Sequence, residues 1–271
     1  MSLIETDELE KVLDKVKIID CSWHMPQTNR NGNEEFKNQH IPNAIFFDLD
    51  KNSKKGTDLP HMLVGLNDWE EIVSNMGINN DDEIVIYDNS DVISSCRCWY
   101  NFIYYGHNPK LIKVLNGGLK KWIDEERQTS NALTKITKSN YKSKEYKNLV
   151  KNKNQIDENI IKKEFNLIDA RSIERFNGNV KEPRAGLRSG NIKNSTCIPF
   201  TYLINSDKTF KSIKKIKEIF SKNLKDLSSN NVVFSCGSGV TACVLALAYS
   251  LINDNYLPII YDGSWSEYGQ I

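Results

Sequence analysis

The chain repeats itself, and the repeat limits what it can fold into. Val16-Lys17-Ile18-Ile19-Asp20 returns as Phe165-Asn166-Leu167-Ile168-Asp169. His40-Ile41-Pro42-Asn43-Ala44-Ile45-Phe46-Phe47 returns as Asn191-Ile192-Lys193-Asn194-Ser195-Thr196-Cys197-Ile198. Ile84-Val85-Ile86-Tyr87-Asp88 answers Val232-Val233-Phe234-Ser235-Cys236, and Leu115-Asn116-Gly117-Gly118-Leu119 answers Tyr261-Asp262-Gly263-Ser264-Trp265. The four offsets are 149, 151, 148 and 146 residues, so a single unit has been duplicated in tandem. A length of 271 residues leaves each copy room for its own core.

Within each copy, short apolar runs of strand character alternate with stretches of helical period, the pattern of a parallel α/β layer. Helices are expected over Leu9–Val16, over Trp69–Met76 with Gly77 closing it, and over Ile213–Leu224. The stretch Thr129–Asn154 is rich in Lys, Asn and Ser and lacks periodicity, which reads as a surface linker. The expected organisation is an α/β protein of two tandem domains, each a mainly parallel sheet flanked by helices. The N-terminal domain covers 1–128, the linker 129–154 and the C-terminal domain 155–271.

The copies differ where chemistry is concentrated. In the second, the β-branched run Asn231-Val232-Val233-Phe234 leads into Ser235-Cys236-Gly237-Ser238-Gly239-Val240-Thr241-Ala242-Cys243, and an Ala- and Leu-rich helical run follows. Glycines at alternate positions let successive N–H groups turn toward one point. The following helix adds unpaired N–H groups and the positive end of its dipole. A thiol in that setting ionises more readily than a free one, so Cys236 is expected to be a thiolate nucleophile. A buried, inert cysteine is the alternative. It suits Cys243, inside the helix, better than a cysteine followed by Gly-Ser-Gly. In the first copy the position of Cys236 holds Asp88, which cannot act as a sulfur nucleophile. The second copy is therefore expected to carry the chemistry. The first is expected to serve as a scaffold that lends residues to the cleft, since clefts between domains are frequent ligand sites.

A net charge of +1 gives no reason to expect a nucleic-acid partner. The six cysteines show neither the regular spacing of a disulfide scaffold nor a CxxC pair for zinc. A reducing compartment is expected. The acidic segment Met1–Glu10 lacks the apolar centre of a secretory signal, and no run is long and apolar enough to span a bilayer. A cytoplasmic protein without membrane association follows as the expectation.

The residues also resemble those of the two-domain rhodanese superfamily of sulfurtransferases, over nearly the whole length. The resemblance rests on His40-Ile41-Pro42-Asn43-Ala44, Phe46–Asp50, His61-Met62-Leu63, Asn116–Leu119, Asp169-Ala170-Arg171, Arg175-Phe176-Asn177-Gly178, Glu182-Pro183-Arg184, the Cys236 loop and Tyr261–Trp265. Thiosulfate-preferring members typically have basic residues directly after the cysteine. Gly237-Ser238 is similar instead to the 3-mercaptopyruvate sulfurtransferases. Two departures stand out: Asn191-Ile192-Lys193 where a second His-Ile-Pro is usual, and Cys96 and Cys98 where small residues and an Arg are usual. The latter are either packing residues or oxidation-sensitive thiols.

The resemblance implies a reaction without cofactor or metal. Cys236 takes sulfur from 3-mercaptopyruvate as a persulfide, pyruvate leaves through its enolate, and a thiol, such as that of a thioredoxin-like protein, or cyanide removes the outer sulfur. It implies Arg175 and Arg184 as the pair that binds the substrate carboxylate, which a guanidinium holds with two parallel N–H bonds. An ion pair of either with Glu174 or Glu182 is the competing assignment. It implies a relay of Asp50, His61 and Ser238, and substrate contacts from Gly237, Gly239, Val240 and Thr241. The Thr241 hydroxyl is also placed to cap the helix. Arg171 reads as structural. Trp265 and Asp262 line the cleft or, for Trp265, fill the core. The rival activity of the same chemistry is thiosulfate:cyanide sulfurtransfer. A non-catalytic sulfur-carrier or binding module is a rival of another class. A cysteine phosphatase requires Arg six residues after the nucleophile, where this chain has Ala242.

Overall fold

The computed structural model describes residues 2–271. They form two compact units. The first holds the chain up to Lys55, with Leu63–Tyr146 and Ser206–Thr209. The second holds Gly56–Met62, Lys147–Asn205 and Phe210–Ile271.

In the first unit the strands are β1 (Leu3–Ile4), β2 (Lys17–Asp20), β3 (Ala44–Phe46), β4 (Ile84–Tyr87) and β5 (Ile112–Leu115). They make one parallel sheet in the order β1-β5-β4-β2-β3. The helices α1 (Thr6–Glu10), α2 (Gly32–Asn38), α3 (Leu66–Asn75), α4 (Ser95–Tyr104) and α5 (Gly118–Asp124) connect them. β4 is buried along its whole length, which is why its sequence is an unbroken apolar run rather than an alternating one. Ile18, Phe36, Val85, Leu115 and Trp122 share one core cluster. Trp69, stacked on Tyr105 with ring centroids 4.6 Å apart, belongs to a separate aromatic group with Phe47 and Phe102.

The helix expected over Leu9–Val16 lies earlier, at Thr6–Glu10. Glu5 and Glu8 form a reciprocal capping box that starts it there. Beyond Glu10 the chain continues in tight turns, with Val12 N–H donating to Leu9 O and Lys15 N–H to Val12 O.

The second unit repeats the plan with β6 (Val150–Lys151), β7 (Asn166–Asp169), β8 (Thr196–Cys197), β9 (Val232–Ser235) and β10 (Ile260–Tyr261). Its order, β6-β10-β9-β7-β8, is that of the first sheet with each strand five places on, and its pairings are again parallel. The helices are α6 (Lys153–Lys162), α7 (Ile173–Asn177), α8 (Ile213–Ser221), α9 (Thr241–Ser250) and α10 (Ser264–Tyr268). α8 starts on Ser212, whose hydroxyl accepts from Lys215 N–H. α9 is buried from Ala242 to Tyr249, as expected of a helix that is apolar on every side. Among the described residues no helix is long and apolar enough to cross a membrane. β9 lies at the centre of its sheet, and the chain leaves its C-terminal end into the Cys236 loop. Ligands of parallel α/β sheets collect at such ends.

Candidate active site

The Cys236 loop is fixed by its peptide groups. The carbonyl before Cys236, of Ser235, accepts from Ala170 N–H at 2.8 Å. Cys236 N–H donates to Ser264 Oγ at 3.1 Å, and that hydroxyl donates to Tyr261 O at 2.8 Å. Cys236 O accepts from Trp265 N–H at 3.0 Å. Gly237 O accepts from both Ser266 N–H at 2.8 Å and Ser266 Oγ at 2.6 Å. There are no cis peptide bonds among the described residues, and in a trans peptide the C=O and N–H point opposite ways. Drawing two carbonyls toward Trp265 and Ser266 therefore turns Gly237 N–H and Ser238 N–H to the other side of the loop.

The two glycines serve different ends. Gly239 has φ +76°, in the left-handed region. Gly237 has no such angle; its need is room. A Cβ built there would lie 3.2 Å from Arg175 Nη2 and 3.8 Å from Arg184 Nη1. Both guanidinium groups thus stand over the residue that follows Cys236. Cys236 itself is 2% exposed, with both guanidinium groups beside the next residue.

Arg175 lies on α7, whose first turn is capped by Ser172 Oγ accepting from Arg175 N–H. Its Nε and Nη2 fork onto Glu182 at 3.2 and 2.6 Å. The ion pair with Glu182 and the position over Gly237 therefore occur together. Glu182, with a side chain 1% exposed, also accepts from Arg171 Nη1 at 2.8 Å. Arg171 is itself forked onto Asp169 and donates to Gly190 O. Its guanidinium lies 4.4 Å from the Trp265 ring centroid, and Trp265 is 1% exposed within the core cluster of this unit. Arg171 is structural, as the sequence suggested, and Trp265 is a core residue.

Ser238 Oγ lies 3.0 Å from His61 Nδ1 and accepts from Arg184 Nη2 at 3.5 Å. His61 is buried and has φ +61°, an uncommon conformation for a residue with a Cβ. By sequence His61 belongs to the first copy, yet its segment, Gly56–Met62, forms part of the second compact unit. Asp50 lies in the first unit, exposed, with Trp23 Nε1 donating to its Oδ2 at 3.0 Å and Lys55 Nζ to its carbonyl. Thr241 does not cap α9. The cap residue is Val240, in helical conformation and without a side-chain acceptor, and Thr241 is already the first helical residue.

In the first unit, Asp88 accepts from Ser90 N–H at 2.7 Å and Ser95 N–H at 3.0 Å. The position that holds Cys236 in the second copy is here an anchor for the start of α4. Cys96 and Cys98 on that helix are fully buried, and neither forms a disulfide. Among the described residues no cluster of His, Cys, Asp and Glu is arranged to hold a metal ion.

Sequence reasoning missed Ser264 and Ser266 and saw Glu182 only as an ion-pair partner. The repeat carried a signal for Ser264, since it aligns with Gly118.

The Rhodanese-like domain family matches residues 5–125 and 145–270. The chain is 37% identical to Thiosulfate/3-mercaptopyruvate sulfurtransferase 1, mitochondrial, of Arabidopsis thaliana, over 93% of this chain and 71% of that one. It is 34% identical to the 3-mercaptopyruvate sulfurtransferase of Mus musculus, over 93% and 84%. Among solved structures, SseA from Escherichia coli, described with the rhodanese fold and mechanism of 3-mercaptopyruvate sulfotransferases, superposes with a TM-score of 0.86. It is 28% identical and covers 98% of this chain and 99% of its own.

Proposed function

From the premise that this chain belongs to the rhodanese-like family, we propose that it moves sulfur from 3-mercaptopyruvate to a thiol or cyanide through a persulfide on Cys236. The N-terminal copy is non-catalytic and the C-terminal copy carries the nucleophile. The observation that carries the choice of donor is the placement of Arg175 and Arg184 over Gly237. An α-keto acid brings one carboxylate, which these guanidinium groups are suited to hold. A basic side chain at residue 237, as in thiosulfate-preferring relatives, would be driven against both cations.

The step balances without a cofactor. The Cys236 thiolate forms an S–S bond to the substrate sulfur as the substrate C–S bond breaks. The bonding pair passes to carbon as the enolate of pyruvate, and the proton of the substrate thiol returns to that carbon. Ser238, within reach of His61 and Arg184, is the group that carries this proton, with His61 as its exchange partner. In this reading Gly237, Gly239, Val240 and Thr241 meet the substrate, and the amides of the loop and of the start of α9 stabilise the developing charge. An acceptor thiolate then attacks the outer sulfur and frees Cys236. We place this chemistry in the cytoplasm with a thioredoxin-like acceptor and neither nucleic acid nor membrane; the support is that none of the six cysteines forms a disulfide, as in a reducing compartment, and that the net charge is only +1.

The experiment is a comparison of kcat/KM for 3-mercaptopyruvate and thiosulfate, with mass spectrometry of the protein after each donor. One added sulfur on the peptide containing Cys236, with mercaptopyruvate the better donor, is the expected result. A higher kcat/KM on thiosulfate would move the donor assignment to the rival, and no added sulfur from either would favour a binding module.

A further inference from the structure

The loop that carries Cys236 is held by a tripeptide the chemistry has not yet used, Ser264-Trp265-Ser266. We infer that Ser264 is a positioning residue for sulfur transfer: its hydroxyl locks the peptide group of the nucleophile, and its strained backbone is kept for that purpose. The inference rests on the sulfur-transfer reading above.

Three observations carry it. Ser264 is fully buried and has φ +49°, a left-handed conformation that disfavours any residue with a Cβ. Strain of this kind persists where the surroundings over-determine it, and it gathers at functional sites. Second, the hydroxyl bridges Tyr261 O and Cys236 N–H, at 2.8 and 3.1 Å. A buried amide needs such an acceptor. With Ser235 O held by Ala170, the peptide group entering Cys236 is pinned at both ends.

Third, the chain contains its own control. The duplicated position is Gly118, with φ +57°. There Leu119 N–H donates to Asp88 O at 2.9 Å, the counterpart of Trp265 N–H to Cys236 O at 3.0 Å. The backbone clamp is therefore common to both copies, and glycine supplies its left-handed turn without strain where residue 88 is an aspartate. Only the copy with the nucleophile places a serine in that turn. Lys120 stands where the active copy has Ser266, whose hydroxyl adds the second bond to Gly237 O. In the first copy a Cβ at residue 118 would lie 2.4 Å from Asp88 O, so the turn there has no room for a side chain; in the second the turn admits one, and its hydroxyl is the group that reaches Cys236 N–H.

The test uses two variants of the full chain, Ser264→Gly and Ser264→Ala. Glycine relieves the strain and removes the hydroxyl. Alanine keeps the strain and removes the hydroxyl. The measurements are the rate of iodoacetamide alkylation of Cys236 at neutral pH, kcat and KM for mercaptopyruvate, and the thermal midpoint. Both variants are expected to lose alkylation rate and kcat on the order of tenfold or more, as misplacement of a reacting group does, with KM little changed. Ser264→Gly is expected to melt no lower than Ser264→Ala. Alkylation and kcat at the wild-type level in Ser264→Gly overturn the inference, whatever its melting temperature. Reduced alkylation in both variants of a protein that loads no sulfur from mercaptopyruvate keeps the positioning role and overturns the donor reading instead.

Discussion

Arg175 is forked onto Glu182, Nη2 to Oε2 at 2.6 Å and Nε to Oε1 at 3.2 Å, and the same carboxylate takes Arg171 Nη1 at 2.8 Å. One buried anion thus holds two cations of different use. Arg171 is spent within the protein, on Asp169, Glu182 and Gly190. Arg175 has its outer edge beside Gly237. Removing either cation should therefore have a different consequence.

Arg175→Ala leaves Glu182 paired with Arg171, so the fold is expected to hold. The substrate carboxylate loses a charge-assisted partner worth about 1.5–3 kcal/mol, and KM for mercaptopyruvate should rise roughly 10- to 100-fold. Steady-state kinetics on mercaptopyruvate and on an uncharged thiol compound check this; an equal loss on both would remove Arg175 from carboxylate binding.

Arg171→Ala leaves Asp169 and Glu182 as buried carboxylates without their shared cation. Breaking a buried pair from one side costs about 3–5 kcal/mol. Urea unfolding should show a loss of that order, well beyond that of Arg175→Ala. Comparable losses in the two variants would contradict the division of labour.

Cys236→Ser should abolish sulfur loading and turnover while leaving the melting temperature close to wild type, because a hydroxyl of similar size fills the same space. Mass spectrometry after exposure to mercaptopyruvate reads the first outcome, and residual turnover would locate the nucleophile elsewhere.

Asp88→Cys should not create a second site. Asn89-Ser90-Asp91 lacks the glycines of the active loop, and Asp88 anchors Ser90 and Ser95 N–H groups. The expected result is a stability loss of about 1–2 kcal/mol, the scale of a lost helix cap, with no sulfur added at residue 88.

Stability should depend on Asp20. Asp169, its counterpart, has Arg171 forked onto it, whereas Ser22 stands where Arg171 does. Burial pushes the Asp20 carboxyl up to about 7 from 3.8, against the hydrogen bonds from Ser22 and Tyr87 that pull it down. The folded state then keeps a proton that the unfolded chain releases near pH 4, so stability falls as pH rises from about 4 to about 7. The full contribution is on the order of 4 kcal/mol. Asp20→Asn should flatten that part of the curve and lie above wild type at pH 7, though burial also raises Asp88, so some slope remains. Urea titrations at pH 4.5 and 7.5 check it; an unchanged slope in the variant would remove Asp20 as its source.

The amino-acid sequence by itself determined the duplicated α/β plan, because apolar period and offset are local properties that both copies carry. It also singled out the Cys236 loop as the candidate site, because Cys-Gly-Ser-Gly between a strand and a helix is written in consecutive residues. It did not determine the start of α1, where a capping pair at Glu5 and Glu8 prevailed over hydrophobic period, nor the absence of a Thr241 cap. Only the tertiary structure decided which arginine is spent inside and which stands over Gly237, since Arg171 and Arg175 are alike until Asp169, Glu182 and Trp265 are brought around them. It alone showed that Ser264, distant in sequence, holds the peptide group of Cys236. Hydrogen-bond direction and charge pairing depend on which groups meet after burial, and spacing along the chain does not contain that information.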